Sequence, residues 1–257
     1  MWVKDGEVLF KARRDALREL FLSKPFVSFE EMREMFPDVS EMTLRRDVEY
    51  FENEGVVIKV RGGCRSIGRL SSDSDEIVNL PAKRLIAEAA VPFLETGRSI
   101  FIDSGTTMRT LCKYIPDMRY SFTTTDPRVA IELCKNGNAS VNIVGGRMEG
   151  VNNTVTGLQA SRFLSDINID TAFLTPTGFS EDNGFTVASF NECELKRIVA
   201  EKAKTVVMLM DSSKIGRSLP YTFCTVEGAD VIITDSEPDA QVKRKMLLSG
   251  VRLICTR

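Results

Sequence analysis

The sequence predicts an α/β protein in two parts: a small domain of three helices and a β-hairpin, then a larger α/β domain with a mostly parallel sheet. Three observations point there. Apolar residues recur at helical spacing from Leu9 to Phe51, then give way to a β-branched run and the double glycine Gly62-Gly63. A polar stretch, Ser66 to Glu76, interrupts that pattern. From Pro81 onward, helical and strand-like segments alternate to the end. With 257 residues, 43% apolar and 27% charged, the chain can bury two cores, and a disordered protein is excluded. The expected division is 1–65 for the first domain, 66–80 for a linker and 81–257 for the second domain.

In the first part, Leu9, Ala12, Arg13, Ala16, Leu17, Leu20 and Phe21 mark a helix. Lys24-Pro25 ends it, because proline drives the preceding residue out of the α region. Ser28 caps a second helix, Phe29 to Phe36, with Glu30 and Glu31 in its favourable first turn. Pro37-Asp38 turns the chain, and Ser40 caps a third helix from Glu41 to about Asn53. Val56–Arg61 reads as a strand and Gly62-Gly63 as a hairpin tip, which completes the plan of a winged helix-turn-helix.

In the second part, helices are expected at 81–95, Met108–Ile115, Pro127–Asn136, Thr154–Ile167, Phe190–Ala203 and Asp239–Leu248. Strands are expected at Arg98–Asp103, Tyr120–Thr125, Ser140–Val144, Thr171–Leu174, Thr205–Met210, Asp230–Thr234 and Val251–Cys255. Such alternation calls for a mostly parallel sheet covered on both faces.

Composition excludes several chemistries. Histidine is absent, which removes Ser-His and Cys-His catalysis and the commonest transition-metal ligand. The six cysteines form no CxxC, so buried, reduced thiols are expected rather than a zinc or redox site. No GxGxxG or GK[ST] fingerprint follows a strand, so no cofactor and no metal are expected. No run approaches eighteen apolar residues, and Asp5 and Glu7 stand where a signal peptide would be apolar, so a cytoplasmic protein without membrane contact is expected.

On the third helix, Leu44, Val48 and Phe51 share one face, which must point into the small core. Met42, Arg46, Glu49 and Asn53 form the opposite stripe, flanked by Thr43 and Arg45. A recognition helix enters the major groove by its N-terminal turns, which would put Thr43, Arg45 and Arg46 nearest the DNA. Lys59, Arg61 and Arg65 around the glycine tip suit a wing that grips the backbone. Residues 1–69 carry thirteen basic and thirteen acidic groups, so net charge leaves open a solvated helix on a protein-interaction module.

Val39-Ser-Glu-Met-Thr-Leu-Arg-Arg-Asp-Val48 and Glu54-Gly-Val-Val-Ile-Lys-Val-Arg-Gly-Gly63 closely resemble the helix-turn-helix signature of the DeoR family of bacterial transcriptional regulators. The match includes the arginine pair, the aspartate after it and the double glycine. The resemblance implies a repressor of sugar or nucleoside catabolic genes that binds a double-stranded DNA operator, and a homodimer or homotetramer is expected because it would place two recognition helices on spaced half-sites. It also implies a second domain similar to sugar-phosphate isomerases that binds a phosphorylated sugar effector. Ser40, Thr43, Arg45, Arg46, Lys59, Arg61 and Arg65 are the DNA candidates. Asp47 either braces the arginines or neighbouring helices, or is an ordinary surface acid.

The effector candidate begins at Asp103-Ser104-Gly105-Thr106-Thr107, which follows a strand and opens a helix. Helix-start N–H groups, a close-approach glycine and hydroxyls suit a phosphate, and equally suit a capped turn; the resemblance selects the phosphate loop. Other candidates lie at carboxy ends of strands, the edge where open α/β sheets bind ligands. They are Thr124 and Asp126, Gly146 and Arg147, then Lys196 and Lys214. Two departures stand out: Thr124-Thr125-Asp126 replaces the family's Thr-Asn-Ser, and Thr177-Gly178 replaces its Asp-Gly. Asp126 would repel a phosphate or bond a sugar hydroxyl. In the related isomerases an aspartate near Thr177 moves a proton, so threonine there argues against an enzyme. The alternatives are an isomerase with an adapter domain, or a regulator whose second domain only oligomerises.

Overall fold

The computed structural model describes residues 13–21, 23, 24, 26–53, 56–60, 62–66, 79–149 and 154–256. The chain divides into two units, Met1–Ile77 and Val78–Arg257. No helix among the described residues is long and apolar enough to cross a membrane.

The first unit contains α1 (13–21), β1 (Phe26–Ser28), α2 (Phe29–Met35), α3 (Glu41–Asn53), β2 (Val57–Val60) and β3 (Gly63–Ser66). Residues 9–12, expected at the start of the first helix, lie outside the described residues, as does Arg61 of the wing. Leu17, Phe21, Val27, Met32, Leu44, Val48, Phe51, Val57 and Cys64 form the core. Phe21 and Phe51 meet edge-on at 5.3 Å, so truncating Phe51 to alanine should cost about 3–5 kcal/mol. The Ser28 hydroxyl accepts from the Glu31 N–H at 3.1 Å, which caps α2 as the sequence reads.

The wing is a three-stranded sheet in the order β1-β3-β2 rather than a bare hairpin. β1 is only three residues long and carries no periodic signal; its pairing with β3, Val27 opposite Cys64, creates it. A Cβ on Gly63 would lie 2.2 Å from the Val27 carbonyl oxygen, so this crossing admits only glycine. β3 runs to Ser66 and α4 opens at Leu80, so the linker expected over 66–80 is one residue too long at each end.

The second unit begins with α4 (Leu80–Ala90), β4 (Ser99–Ile102), α5 (Thr106–Cys112), β5 (Ser121–Thr124), α6 (Pro127–Leu133) and β6 (Ser140–Ile143). Next come β7 (Arg147–Glu149), β8 (Thr154–Thr156), α7 (Leu158–Asp166), β9 (Ile169–Leu174), β10 (Gly178–Ser180) and β11 (Gly184–Val187). α8 (Phe190–Lys202), β12 (Ala203–Leu209), β13 (Tyr221–Cys224), β14 (Val231–Thr234), α9 (Ala240–Leu248) and β15 (Arg252–Cys255) complete it.

Seven strands form a fully parallel sheet in the order β15-β14-β12-β9-β4-β5-β6. Alternate residues of each strand feed opposite faces. Ala172, Leu174, Val206 and Met208 pack toward α7, α8 and α9, while Phe173, Val207 and Leu209 pack toward α4, α5 and α6. The chain builds outward from β4 through β5 and β6, then returns to add β9 on the other side of β4. The order therefore reverses between β4 and β9, and the crevice at their carboxy ends is where such sheets bind ligands.

Several expected boundaries shift. Thr154–Thr156 is β8, antiparallel to β7, and the helix starts only at Leu158, because three β-branched residues favour a strand. The helix expected at Met108 starts at Thr106, and that expected over 81–95 stops at Ala90, where a short 3-10 turn containing Pro92 follows. A second, antiparallel sheet of order β10-β11-β13 was not expected. Its strands are three or four residues long, and its Phe179, Phe185 and Phe223 join the α7–α9 side of the core.

Candidate DNA interface and effector site

Periodicity dictates the two faces of α3. Leu44, Val48 and Phe51 are buried, and Met42, Arg45, Arg46 and Glu49 are exposed. At the helix start, the Ser40 hydroxyl accepts from the Thr43 N–H at 3.3 Å and lies 2.9 Å from the Thr43 hydroxyl. Arg45 is engaged within the helix. Its Nη2 lies 2.7 Å from Glu41, which holds the Glu41 carboxyl below the usual carboxylate range, and its guanidinium sits 4.6 Å from the Phe29 ring centre. Arg46 makes no hydrogen bond or ion pair among the described residues. On the wing, Arg65 is exposed, and Lys59 Nζ lies 3.6 Å from Glu49.

Asp47 is almost fully buried and accepts from Arg13 Nε at 2.7 Å and Arg14 Nε at 3.0 Å. It ties α3 to α1 rather than bracing Arg45 and Arg46, so of the two readings open in the sequence the interhelical brace is the one formed.

In the second unit, Asp103 leaves β4 at the sheet's reversal point and is fully buried. Its N–H donates to the Phe173 carbonyl at 3.0 Å. Its carboxylate accepts from the Ser104 N–H at 2.8 Å, the Thr175 N–H at 2.9 Å and Lys196 Nζ at 2.6 Å. Asp103 thus stitches the ends of β4 and β9 together. Gly105 adopts φ +102°, a region that L side chains avoid, and starts α5 from the strand's end in a single residue.

Lys196, on α8, also donates to the Thr175 carbonyl at 2.6 Å and pairs with Glu192 at 3.0 Å. Burial works against its ammonium, but the Asp103 and Glu192 carboxylates outweigh it and hold its pKa above the ordinary lysine value. Lys196 is 3% exposed, so it is an internal cation rather than a solvated one.

Two further lysines surround the loop. Lys214 ends a 3-10 turn after β12 and donates to the Pro176 carbonyl at 2.7 Å and the Thr175 hydroxyl at 3.4 Å. Burial pushes its pKa down to about 8, with Lys196 and Lys83 adding repulsion and Asp211 and Asp103 opposing them. Lys83, on α4, donates to the Thr106 hydroxyl at 2.9 Å, and burial lowers its pKa as well. Asp211 is buried, yet the Ser213 hydroxyl, Lys214 and Asn79 outweigh that and keep its pKa low.

The sequence reading missed Lys83, Thr175 and Asp211. A signal was available for the first: Lys83, Ile86, Ala87 and Ala90 fall on one buried helical stripe, and a charge there is misplaced for solvent.

The remaining candidates separate. Thr124 is buried at the end of β5, and its hydroxyl accepts from the Asp126 N–H at 3.2 Å. Asp126 is fully buried; it caps α6 by accepting from the Arg128 N–H at 2.8 Å and reaches the Gly105 N–H at 3.2 Å. Gly146 and Arg147 are exposed beyond β6, two strands away from β4 and so about 10 Å at usual strand spacing. Thr177 is exposed, and its N–H donates to the Thr186 carbonyl at 2.9 Å. Among the described residues no group of histidine, cysteine or acidic side chains could hold a metal ion.

A small winged helix-turn-helix joined to an α/β unit whose parallel sheet gathers buried lysines and acids at its switch point defines a DNA-binding regulator with a sensor domain. Sequence comparison makes the class specific. Residues 13–69 match the DeoR-like helix-turn-helix domain, and residues 78–236 match the DeoR C terminal sensor domain. The HTH-type transcriptional regulator GlpR of Haloferax volcanii is 33% identical over 84% of this chain and 86% of its own length. The regulator GolR of Listeria innocua is 30% identical over 83% of this chain and 86% of its own length. A lactose phosphotransferase system repressor of Staphylococcus epidermidis is 29% identical over 81% and 85%. Among solved structures, ribose 5-phosphate isomerase A of Methanocaldococcus jannaschii overlaps 52% of this chain and 53% of its own, at 16% identity and a TM-score of 0.38. The chain belongs to the DeoR family of transcriptional regulators, and it is a regulator rather than an enzyme.

Proposed function

We propose that this protein is a cytoplasmic repressor of carbohydrate-metabolism genes, acting as a homodimer or homotetramer, whose operator affinity is set by a phosphorylated sugar. Residues 1–66 serve as the DNA-binding domain, and residues 80–257 serve as the effector and oligomerisation domain. The relative named as a lactose phosphotransferase system repressor supports the sugar assignment. The observation that carries it is that two lysines meet the sheet's switch point from either side, Lys83 bonding Thr106 of the Asp103–Thr107 loop and Lys214 bonding Thr175 and Pro176 beyond the neighbouring β9.

In this reading the phosphate takes the Ser104, Thr106 and Thr107 hydroxyls together with the ammonium groups of Lys83 and Lys214. Asp103 and Lys196 hold the loop rather than the ligand, since each already satisfies the other. Thr124 orients Asp126, and Asp126 fixes Gly105. Gly146 and Arg147 border the far end of the ligand. On the DNA side, Ser40 and Thr43 set the helix start, Arg46 meets the base edges from α3 with Arg45 toward the phosphates, and Lys59, Arg61 and Arg65 bind the backbone.

Calorimetry of the full chain against a panel of sugar phosphates and the matching free sugars tests the effector assignment. Saturable binding of one or more phosphates, absent for the free sugars and lost in Lys83→Met, is the expected outcome. A silent panel would reduce the second domain to an oligomerisation module.

A further inference from the structure

α3 presents five polar or flexible side chains in its first two turns, and three of them are already engaged. Glu41 and Arg45 hold each other through two contacts, Nε at 3.0 Å and Nη2 at 2.7 Å, and Arg45 also stacks over Phe29. The Thr43 hydroxyl is spent on Ser40. Two side chains remain. Arg46 has no partner among the described residues, and Met42 is 65% exposed although it is one of the larger apolar side chains of this unit.

Met42 and Arg46 stand four positions apart, which puts them on one face, one turn above the other. An exposed methionine contributes nothing to the core, whose residues lie on the opposite side of α3. The partner is double-stranded DNA, because this stripe belongs to the third helix of a DeoR-like helix-turn-helix flanked by the wing's Lys59 and Arg65. In a major groove, the one apolar group that distinguishes base pairs is the thymine 5-methyl, and guanine is the base that takes an arginine fork. Four helical residues rise about 6 Å. Successive base pairs rise about 3.4 Å, so the two contacts fall no more than two base-pair steps apart.

We propose that Met42 is a base-reading residue that recognises a thymine methyl group, within two base-pair steps of a guanine read by Arg46, while Arg45 is held off the bases by Glu41. This rests on the DNA-reading assignment made above for α3.

The test first selects a preferred duplex from a random library with the full chain, then replaces each thymine of a half-site in turn by deoxyuridine. Affinities are measured by fluorescence anisotropy for the native chain, Met42→Ala and Met42→Leu. One replacement should weaken the native chain about fourfold, the change carried by one buried methyl-sized group. Met42→Ala should be weaker on the thymine duplex and indifferent to that same replacement; Met42→Leu should keep the sensitivity. A native chain indifferent to every deoxyuridine, or a Met42→Ala chain that still loses affinity at the same position, overturns the proposal and leaves the DNA assignment standing. Failure to select any preferred duplex overturns both. Because Met42 is exposed, unchanged circular dichroism is expected for both variants and separates loss of contact from loss of fold.

Discussion

On the outer face of α3, Met42 and Arg46 stand in solvent. At the carboxy edge of the parallel sheet, Asp103, Lys196, Lys83 and Lys214 are bonded to neighbours within their own domain. The first surface needs no rearrangement before it meets a partner, so its binding energy goes into affinity and sequence choice. The second has its charged groups already bonded. A ligand that reaches the lysines must take over bonds that the free protein makes to itself, such as Lys83 to Thr106 or Lys214 to the Pro176 carbonyl. A site of that kind binds more weakly than its charges would allow, but each bond it exchanges is a differential contact between two states, which regulation requires. The contrast separates a reading surface from a switching one.

The largest effect should come from the pair that holds the switch site together. Lys196→Ala leaves the Asp103 and Glu192 carboxylates buried without their counter-charge, and should destabilise the second domain by about 3–5 kcal/mol in thermal melts. A loss below 1 kcal/mol would mean that water reaches Asp103. Next, Lys214→Met should lower phosphate affinity by about 1.5–3 kcal/mol in calorimetry while leaving ligand-free DNA affinity unchanged. An equal loss of DNA affinity would erase the distinction between the two regions. Arg46→Ala should weaken DNA binding by about 1–3 kcal/mol and leave effector affinity untouched.

A smaller, graded effect follows from the depressed pKa of Lys214. The ligand-free ammonium gives up its proton at about pH 8, and a bound phosphate dianion favours the charged form. The complex therefore holds more protons than the free protein above that pH, and affinity falls as pH rises. Between pH 7.5 and 9.5 it should drop by at most about tenfold per unit, a range in which the phosphate itself, with a second pKa near 6, stays dianionic. A flat profile in the native chain, or the same slope in Lys214→Met, would assign the proton elsewhere.

The faces of α3 were legible in the sequence because helical period and caps are local: Leu44, Val48 and Phe51 point inward as their spacing requires. The loop at Asp103 was legible for the same reason, a strand, a glycine and a helix start in succession. What was not legible depended on distant partners. Lys83 finds Thr106 twenty-three positions away, and Thr175 becomes part of the site only because β9 returns beside β4. β1 exists because β3 pairs with it, and the short β10, β11 and β13 have no period to detect. Asp126 accepts from the Gly105 and Arg128 N–H groups, and the Gly105 contact, set by how α6 packs beside the loop, is invisible to local pattern.

The central claim is that a phosphorylated sugar in the crevice changes how tightly the chain holds its DNA. Anisotropy of a selected duplex, titrated with the native chain and with Lys214→Met in the presence and absence of millimolar sugar phosphates, addresses it directly. At least one phosphate should shift the native chain's affinity tenfold or more, in either direction, and leave Lys214→Met unmoved. A native chain whose DNA affinity is the same with every phosphate would contradict it.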